Sequence, residues 1–429
     1  MGHSAKKNLH WLRLDNAAKI YPAARRRNWS NVFRQSVSLC EDVDMEVLRS
    51  ALAVTVSRFP SIAARLRKGL FWYYLQQIES PPEIQEEKSY PLVHMSGEEM
   101  RKCAFRVIVY GERIAVEFFH SLTDGTGAMI FLKTLTAEYL EQKYGLSIPN
   151  EEGVLDRREK PRPEELEDCF PKVAGKVAAS RRDTNAWHMS GRPRKDGFLN
   201  LVCFRLPVKE TVELAHEYNS TLTVFLSAVM MEALIRLQNE KVPSVKKQKL
   251  IKLLIPVNLR QLYPSATLRN FAMYTIPEID PRLGEYSFEE ICRIIYHKMG
   301  SEISAKNMSC VIATNVNDER NPLVRLIPLP LKNMVMKAIF DSVGERKSCL
   351  TLSNIGLVKL PEPMEKYVRR MDFILGVQAA APYNCGVVSY DDTIYVNFIR
   401  NICDPELERH FYEVLREMGL PVTVESNGN

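Results

Sequence analysis

Apolar and polar positions along the chain alternate between two periods, one helical and one strand-like. Over 43–59 the apolar residues Met45, Leu48, Leu52 and Val56 recur at helical spacing, and Pro60 stops the pattern. The aromatic run 69–75 is β-prone. Two alternating runs, Phe105–Tyr110 and Arg113–Phe119, flank Gly111-Glu112 and read as a hairpin. A polar loop then leads into an amphipathic helix over 128–144, ended by Gly145.

Between residues 150 and 195 the pattern fades. Glu, Arg, Lys and Pro dominate, and the stretch reads as an exposed connection with some helix in it. Beyond it the spacing predicts a strand over 199–206 and a helix over 209–218. A strongly apolar helix over 223–239 follows, with Ser220 and Thr221 as capping candidates. Further strands are expected at 250–257, 271–276, 350–352, 371–377, 385–389 and 393–399. The last two are joined by the turn Asp391-Asp392, and helices are expected at 288–304 and 405–418. Strands interspersed with helices predict an α/β (α+β) protein.

A length of 429 residues exceeds what one hydrophobic core serves, so two bodies are expected: 1–165, a connecting segment 166–198, and 199–429. The composition, 45% hydrophobic and 26% charged, is that of an ordinary soluble globular chain. The formal charge of +6 is mild and its lysines and arginines are scattered, so no nucleic-acid partner is expected. The one tight cluster, Arg25-Arg26-Arg27, reads as a solvated face. Nine cysteines without a Cys-x-x-Cys pair read as buried thiols of a reducing compartment. The polar start lacks a signal peptide's apolar core, and 222–235 is too short and too polar to span a bilayer. A cytoplasmic location is therefore expected. One amphipathic stretch, 323–340, mixes large apolar residues with Arg325, Lys332 and Lys337, and is interrupted by Pro328 and Pro330. It reads as an internal packing segment, the alternative being contact with a membrane surface or a frame around the access path of a lipid-like acceptor.

The candidate chemistry lies in His120-Ser121-Leu122-Thr123-Asp124-Gly125. His120 ends a strand that runs apolar through Phe118-Phe119 and faces a loop with glycines at 125 and 127. An imidazole there has a fixed base and an open approach, and it titrates near neutrality. Asp124 either polarises His120 or pairs with a distant arginine. By itself, a histidine near a glycine turn is more often a satisfied structural residue. The remaining histidines have no metal spacing, and no metal is expected. A Gly-x-Ser-x-Gly elbow and a Walker loop are both missing.

The run resembles the His-x-x-x-Asp-Gly motif of the chloramphenicol acetyltransferase-like superfamily. That superfamily includes BAHD acyltransferases, alcohol acetyltransferases, wax ester synthases and condensation domains. Three further stretches are similar to family segments and fall in the expected order. They are Pro256-Val257-Asn258-Leu259-Arg260 with Arg269-Asn270-Phe271, then Thr351-Leu352-Ser353-Asn354-Ile355-Gly356, then Met371-Asp372-Phe373-Ile374-Leu375-Gly376. Two departures stand out: Phe119 replaces the first of the doubled histidines of condensation domains and wax synthases. The 371–376 segment also lacks the first Gly and the Trp of the plant motif.

The resemblance implies two similar-sized lobes, each a mixed sheet with flanking helices, and an active site in a tunnel between them. His120 would be the general base, and Asp124 would hold the loop by bonding to Arg260. Ser353 or Asn354 would donate to the oxyanion, Gly125 would lie against substrate, and Asp372 and Phe373 would be structural. The co-substrate implied is acyl-coenzyme A or an acyl-phosphopantetheine on a carrier protein, with a small-molecule hydroxyl or amine acceptor. The alternative from another class is a non-catalytic homologue that binds an acyl ligand or a partner.

Overall fold

The computed structural model describes residues 11–25, 31–178, 184–194, 197–340, 345–378 and 381–428. Arg26 and Arg27 of the basic cluster lie outside them. The chain starts with β1 (Trp11–Arg13), α1 (Ile20–Ala24), β2 (Val32–Leu39), α2 (Met45–Arg58), β3 (Ala64–Lys68), β4 (Tyr73–Gln77) and β5 (Gln85–Glu86). It continues through α3 (Gly97–Lys102), β6 (Phe105–Tyr110), β7 (Arg113–Phe119), α4 (Gly125–Tyr144) and α5 (Phe170–Val173). Next come β8 (Asn200–Pro207), α6 (Val208–Glu217), α7 (Leu222–Lys241), β9 (Ile251–Asn258), β10 (Ala272–Thr275) and β11 (Glu278–Ile279). Four helices follow, α8 (Phe288–Glu302), α9 (Ala305–Arg320), α10 (Pro322–Leu326) and α11 (Leu329–Ile339). The chain closes with β12 (Leu350–Val358), α12 (Glu362–Glu365), β13 (Val368–Ile374), β14 (Tyr383–Tyr390), β15 (Thr393–Arg400), α13 (Glu406–Glu417) and β16 (Thr423–Ser426).

The architecture is mixed α/β. One sheet runs β13-β2-β7-β6-β5, and a larger one runs β10-β9-β12-β14-β15-β8-β16 with β11 on β9. A small sheet, β1-β4-β3, lies apart from both. Gly111 adopts φ +53°, the left-handed conformation that lets β6 and β7 close as a hairpin. Behind that hairpin α4 inserts Phe131, whose ring meets the edges of Phe59, Phe105 and Phe118 at 5.1, 5.4 and 5.6 Å. Each buried ring contributes about 1.5–3 kcal/mol of transfer free energy. The larger sheet has its own core, in which Phe411 of α13 meets Phe204 of β8 and Phe398 of β15 while α7 packs on β9. The α7 helix is long and apolar enough to cross a membrane by length and composition, but 67% of its most apolar window is buried and it packs between α8 and α13. It is a core helix.

Two features depart from the sequence reading. The strand β13, which lies beyond residue 199, pairs antiparallel with β2 and completes the first sheet. Gly386 makes this crossing possible, since a Cβ there would stand 2.3 Å from the Phe373 carbonyl oxygen. The connection is also more embedded than its polar composition indicates. Glu165 is buried in a two-bond pair with Arg58 at 2.5 and 2.7 Å, and Phe170 and Trp187 are buried in separate cores.

The stretch 323–340 corrects another expectation. It forms α10 and α11, broken at Pro328, and its side chains Leu326, Leu331, Met334 and Val335 are exposed rather than packed inside. The inner face is shared by buried Leu329 with Lys332 and Asn333, which find partners on the β3–β4 hairpin.

Between the two large sheets lies a cleft of about 750 Å³ lined by Arg34, Arg113, Arg370, Asp372, Glu87 and Glu425 among others. Its arginines are neutralised in place: Arg34 and Arg113 meet Glu87, and Arg370 meets Asp372 and Glu425. Behind it, burial pushes the Glu117 carboxyl up, but Arg34 and Arg106 together hold it below its ordinary value. This cleft is a charged seam, and none of its lining residues belongs to the 120–125 loop.

Candidate active site

His120 follows the buried end of β7, and its main-chain N–H donates to the Asn31 carbonyl at 2.8 Å. The next residues anchor the turn. Ser121 donates to the Ala18 carbonyl at 3.1 Å, and Thr123 to the Leu268 carbonyl at 2.6 Å. The imidazole stacks on Tyr21 of α1, with centroids 4.5 Å apart, and leans on Phe33 of β2 at 5.0 Å. Phe33 in turn meets the edge of Phe373 at 6.2 Å, so the expected core residue of β13 stands one ring behind the histidine.

The polar side of the ring is set by Asn270. His120 Nδ1 lies 3.0 Å from Asn270 Oδ1, while Asn270 Nδ2 donates to Asp15 Oδ2 at 3.3 Å. Asp15 also accepts from the Ala18 N–H at 2.7 Å and faces Arg269 at 3.7 Å. Burial raises the Asp15 carboxyl above its ordinary value while Arg269 and the Ala18 N–H pull it back down; with Asp15 ionised, the amide of Asn270 turns its NH2 to Asp15 and its oxygen to His120. Nδ1 is then the protonated nitrogen, and Nε2 carries the free lone pair. Burial holds the His120 pKa below the ordinary 6.5, against the opposing pull of its own main chain, the Asp124 charge and the Asn270 oxygen. The ring is neutral at pH 7.

Asp124 caps α4. Its Oδ1 accepts from the Thr126 and Gly127 N–H groups, each at 3.1 Å. Its Oδ2 accepts from Arg260 Nη1 and from the Phe271 N–H, each at 2.8 Å. Arg260 sits in the tight turn after β9 and spends its other donors on the Thr267 and Arg269 carbonyls and on Asn258 Oδ1. This pair therefore ties the start of α4 to the far end of β9. The close approach falls at Gly127, where a Cβ would stand 2.2 Å from Thr123 Oγ1 and 2.3 Å from the Leu268 carbonyl oxygen. Gly125 has more room. Its carbonyl accepts from Gln35 Nε2 at 2.8 Å, and a Cβ there would stand 3.2 Å from Ile355.

That contact brings the strand β12 next to the histidine loop. Ser353 and Asn354 lie within β12, where a bulge between Asn354 and Leu357 is accommodated by Gly356 at φ +81°. Asn354 donates to Thr223 Oγ1 at 3.0 Å and accepts from the Gly356 N–H at 2.8 Å, so both ends of its amide are engaged. Ser353 is half-buried. Asp372 is buried and pairs with Arg370 at 2.8 Å.

Three contributors were not singled out from sequence: Asn270, Asp15 and Tyr21. Asn270 lay within a segment noted for its resemblance, which is the one signal that pointed to it. Asp15 and Tyr21 sit in an N-terminal stretch with no distinguishing pattern. Burial pushes the Cys103, Cys292 and Cys349 thiols up to about 12, so these three are not nucleophiles at neutral pH.

No protein-family model matches the chain, and no curated protein matches it by sequence. Solved structures do match it. Fusarium sporotrichioides TRI101, complexed with coenzyme A and T-2, aligns at TM-score 0.62 and 12% identity over 98% of this chain and 100% of that one. Polyketide synthase associated protein 5 from Mycobacterium tuberculosis aligns at 0.57 and 12% over 94% and 96%. The first condensation domain of the CDA synthetase aligns at 0.58 and 12% over 95% and 96%. The chain thus shares its fold with these three structures, the fold that the resemblance of its motifs led one to expect.

Proposed function

We propose that the protein is an acyltransferase in which His120 is the general base, moving an acyl group from a thioester to a hydroxyl or amine. The observation that carries this reading is the Asn270 oxygen on Nδ1, which leaves Nε2 as the proton acceptor. The two large sheets belong to two lobes that meet along a tunnel, with donor and acceptor arriving from opposite mouths. Nε2 takes the acceptor proton as the oxygen or nitrogen attacks the thioester carbonyl. Ser353, on the strand next to Gly125, donates to the oxyanion of the tetrahedral intermediate. The carbon–sulfur bond then breaks, and the imidazolium returns its proton to the departing thiolate. No acyl-enzyme forms, so the kinetics are those of a ternary complex. Asp124 and Arg260 act as positioning residues.

The donor in this reading is acyl-coenzyme A, supported by the likeness to the TRI101 structure complexed with coenzyme A. The likeness to a condensation domain supports a second donor, an acyl group on the phosphopantetheine of a carrier protein. A mass-spectrometric transfer assay offering both donors to a panel of alcohols and amines separates the two. No acylated product from either donor, while an acyl ligand still binds, would turn the reading to a non-catalytic homologue.

A further inference from the structure

The helix α11 buries Leu329 but leaves a second apolar face uncovered. Leu331, Met334 and Val335 recur at the spacing of one helical face, and that face points to solvent, with Met334 70% exposed. The opposite face holds the lysine. Lys332 is 3% exposed, donates to the Phe71 carbonyl at 2.9 Å and lies 3.4 Å from the centre of the Trp72 ring. The tip of the β3–β4 hairpin continues the same surface. Its Leu70 is 82% exposed, and its carbonyl accepts from the Leu329 N–H at 2.9 Å. Leu326 and Phe71 are exposed beside them. A soluble protein gains nothing by turning a helix this way, because the apolar area stays in water.

The charges carried by these segments have one sign, and Glu319, in α9 beside Arg325, is paired with Lys19. Segments 64–77 and 322–340 carry Arg65, Arg67, Lys68, Arg325, Lys332 and Lys337 and no Asp or Glu. Their sum equals the formal net charge of the whole chain, +6. Apolar and aromatic side chains projecting from a basic surround suit the boundary of an anionic bilayer, where rings and aliphatic chains enter the acyl region and cations meet lipid phosphates. A protein with an acidic rim and an apolar face is the rival occupant, which the test below separates from a bilayer. The surface is also next to the candidate chemistry, because α11 packs on α1, and Tyr21 of α1 stacks on His120.

We propose that α10, α11 and the β3–β4 hairpin dock the protein on anionic membranes, and that its acceptor is an amphiphile drawn from that membrane. The second half of this inference rests on the acyltransferase reading; the first does not. Flotation of the full chain with phosphatidylcholine vesicles, with and without phosphatidylglycerol, tests it. Wild-type protein should rise with the anionic vesicles, less with neutral ones, and less again at high salt. Leu331→Asp with Met334→Asp should weaken flotation by about tenfold or more while leaving the melting temperature unchanged, since both positions are exposed. The same variant should lose kcat/KM on a long-chain alcohol held in vesicles and keep it on a short soluble alcohol.

Wild-type protein that stays with the soluble fraction, or a variant that floats equally well, would overturn the docking. So would size-exclusion behaviour in which the variant converts a dimer to a monomer, or binding of an acidic carrier protein that the variant abolishes while vesicles are ignored; both give the face another occupant. His120→Ala should float as wild type does. Flotation without transfer to either alcohol would sink the acyltransferase reading and leave the membrane docking standing.

Discussion

The two polar ends of the 120–125 loop are bonded in opposite ways. At Asp124 each carboxylate oxygen accepts two hydrogen bonds, and its partner Arg260 is engaged by main-chain carbonyls on either side. At His120 one ring nitrogen is held and the other is left to whatever approaches. A group with every valence satisfied holds shape, and a group with one valence open can move a proton. The contrast also separates the two kinds of damage that mutation can do, since one end is tied to the fold and the other, in the proposed mechanism, to the chemistry.

The largest expected effect lies at the open end. His120→Ala should lower turnover by about two to four orders of magnitude with an unchanged far-UV spectrum and melting temperature. Near-wild-type rates would dissolve the distinction. At the closed end, Asp124→Asn leaves the Arg260 charge uncompensated beside groups that are almost fully buried. Stability should fall by about 3–5 kcal/mol, read from the denaturant midpoint, and activity should fall with it. An unchanged midpoint would mean that the pair is not the joint described above. Gly127→Ala, which forces a Cβ against Thr123 and Leu268, should cost about 1–3 kcal/mol through the same closed end.

The finest test falls between the ends. Asn270→Ala removes the acceptor that selects the Nδ1 tautomer and should lower kcat by about ten- to a hundredfold. In the proposed mechanism a neutral His120 is the active form, so activity should be present above the folded-state pKa and lost as pH falls through it. Burial places that acidic limb below 6.5. Because the Asn270 bond favours the charged ring, its loss should move the limb to still lower pH. A limb that stays put while the rate falls would give Asn270 a packing role only.

Local patterns were readable where one face of an element decided its burial. The β6–β7 hairpin falls on the expected residues because alternation and a left-handed Gly111 both specify it. The strand β2 escaped notice because Arg34, Gln35, Ser36 and Ser38 interrupt its apolar run. Those residues are nonetheless mostly buried, with Arg34 neutralised by Glu87 and Glu117. At Ser353-Asn354, turn chemistry produced a bulge inside a strand, an outcome that depends on the neighbouring β14. The contact of Asp124 with Arg260 could be named only through the family resemblance, since 136 residues separate them. Asn270 lies 150 residues from His120 and Asp15 a further 255 from Asn270, distances at which periodicity carries no information.

The crossing of β13 onto β2 has a practical corollary for anyone who cuts this gene in two. A fragment ending in the 166–198 segment would leave the edge of β2 bare, a row of unpaired amides and carbonyls ready to join another copy. Such a fragment should be recovered as aggregate. Co-expression with the remaining portion, which supplies the missing strand in trans, should return it to the supernatant.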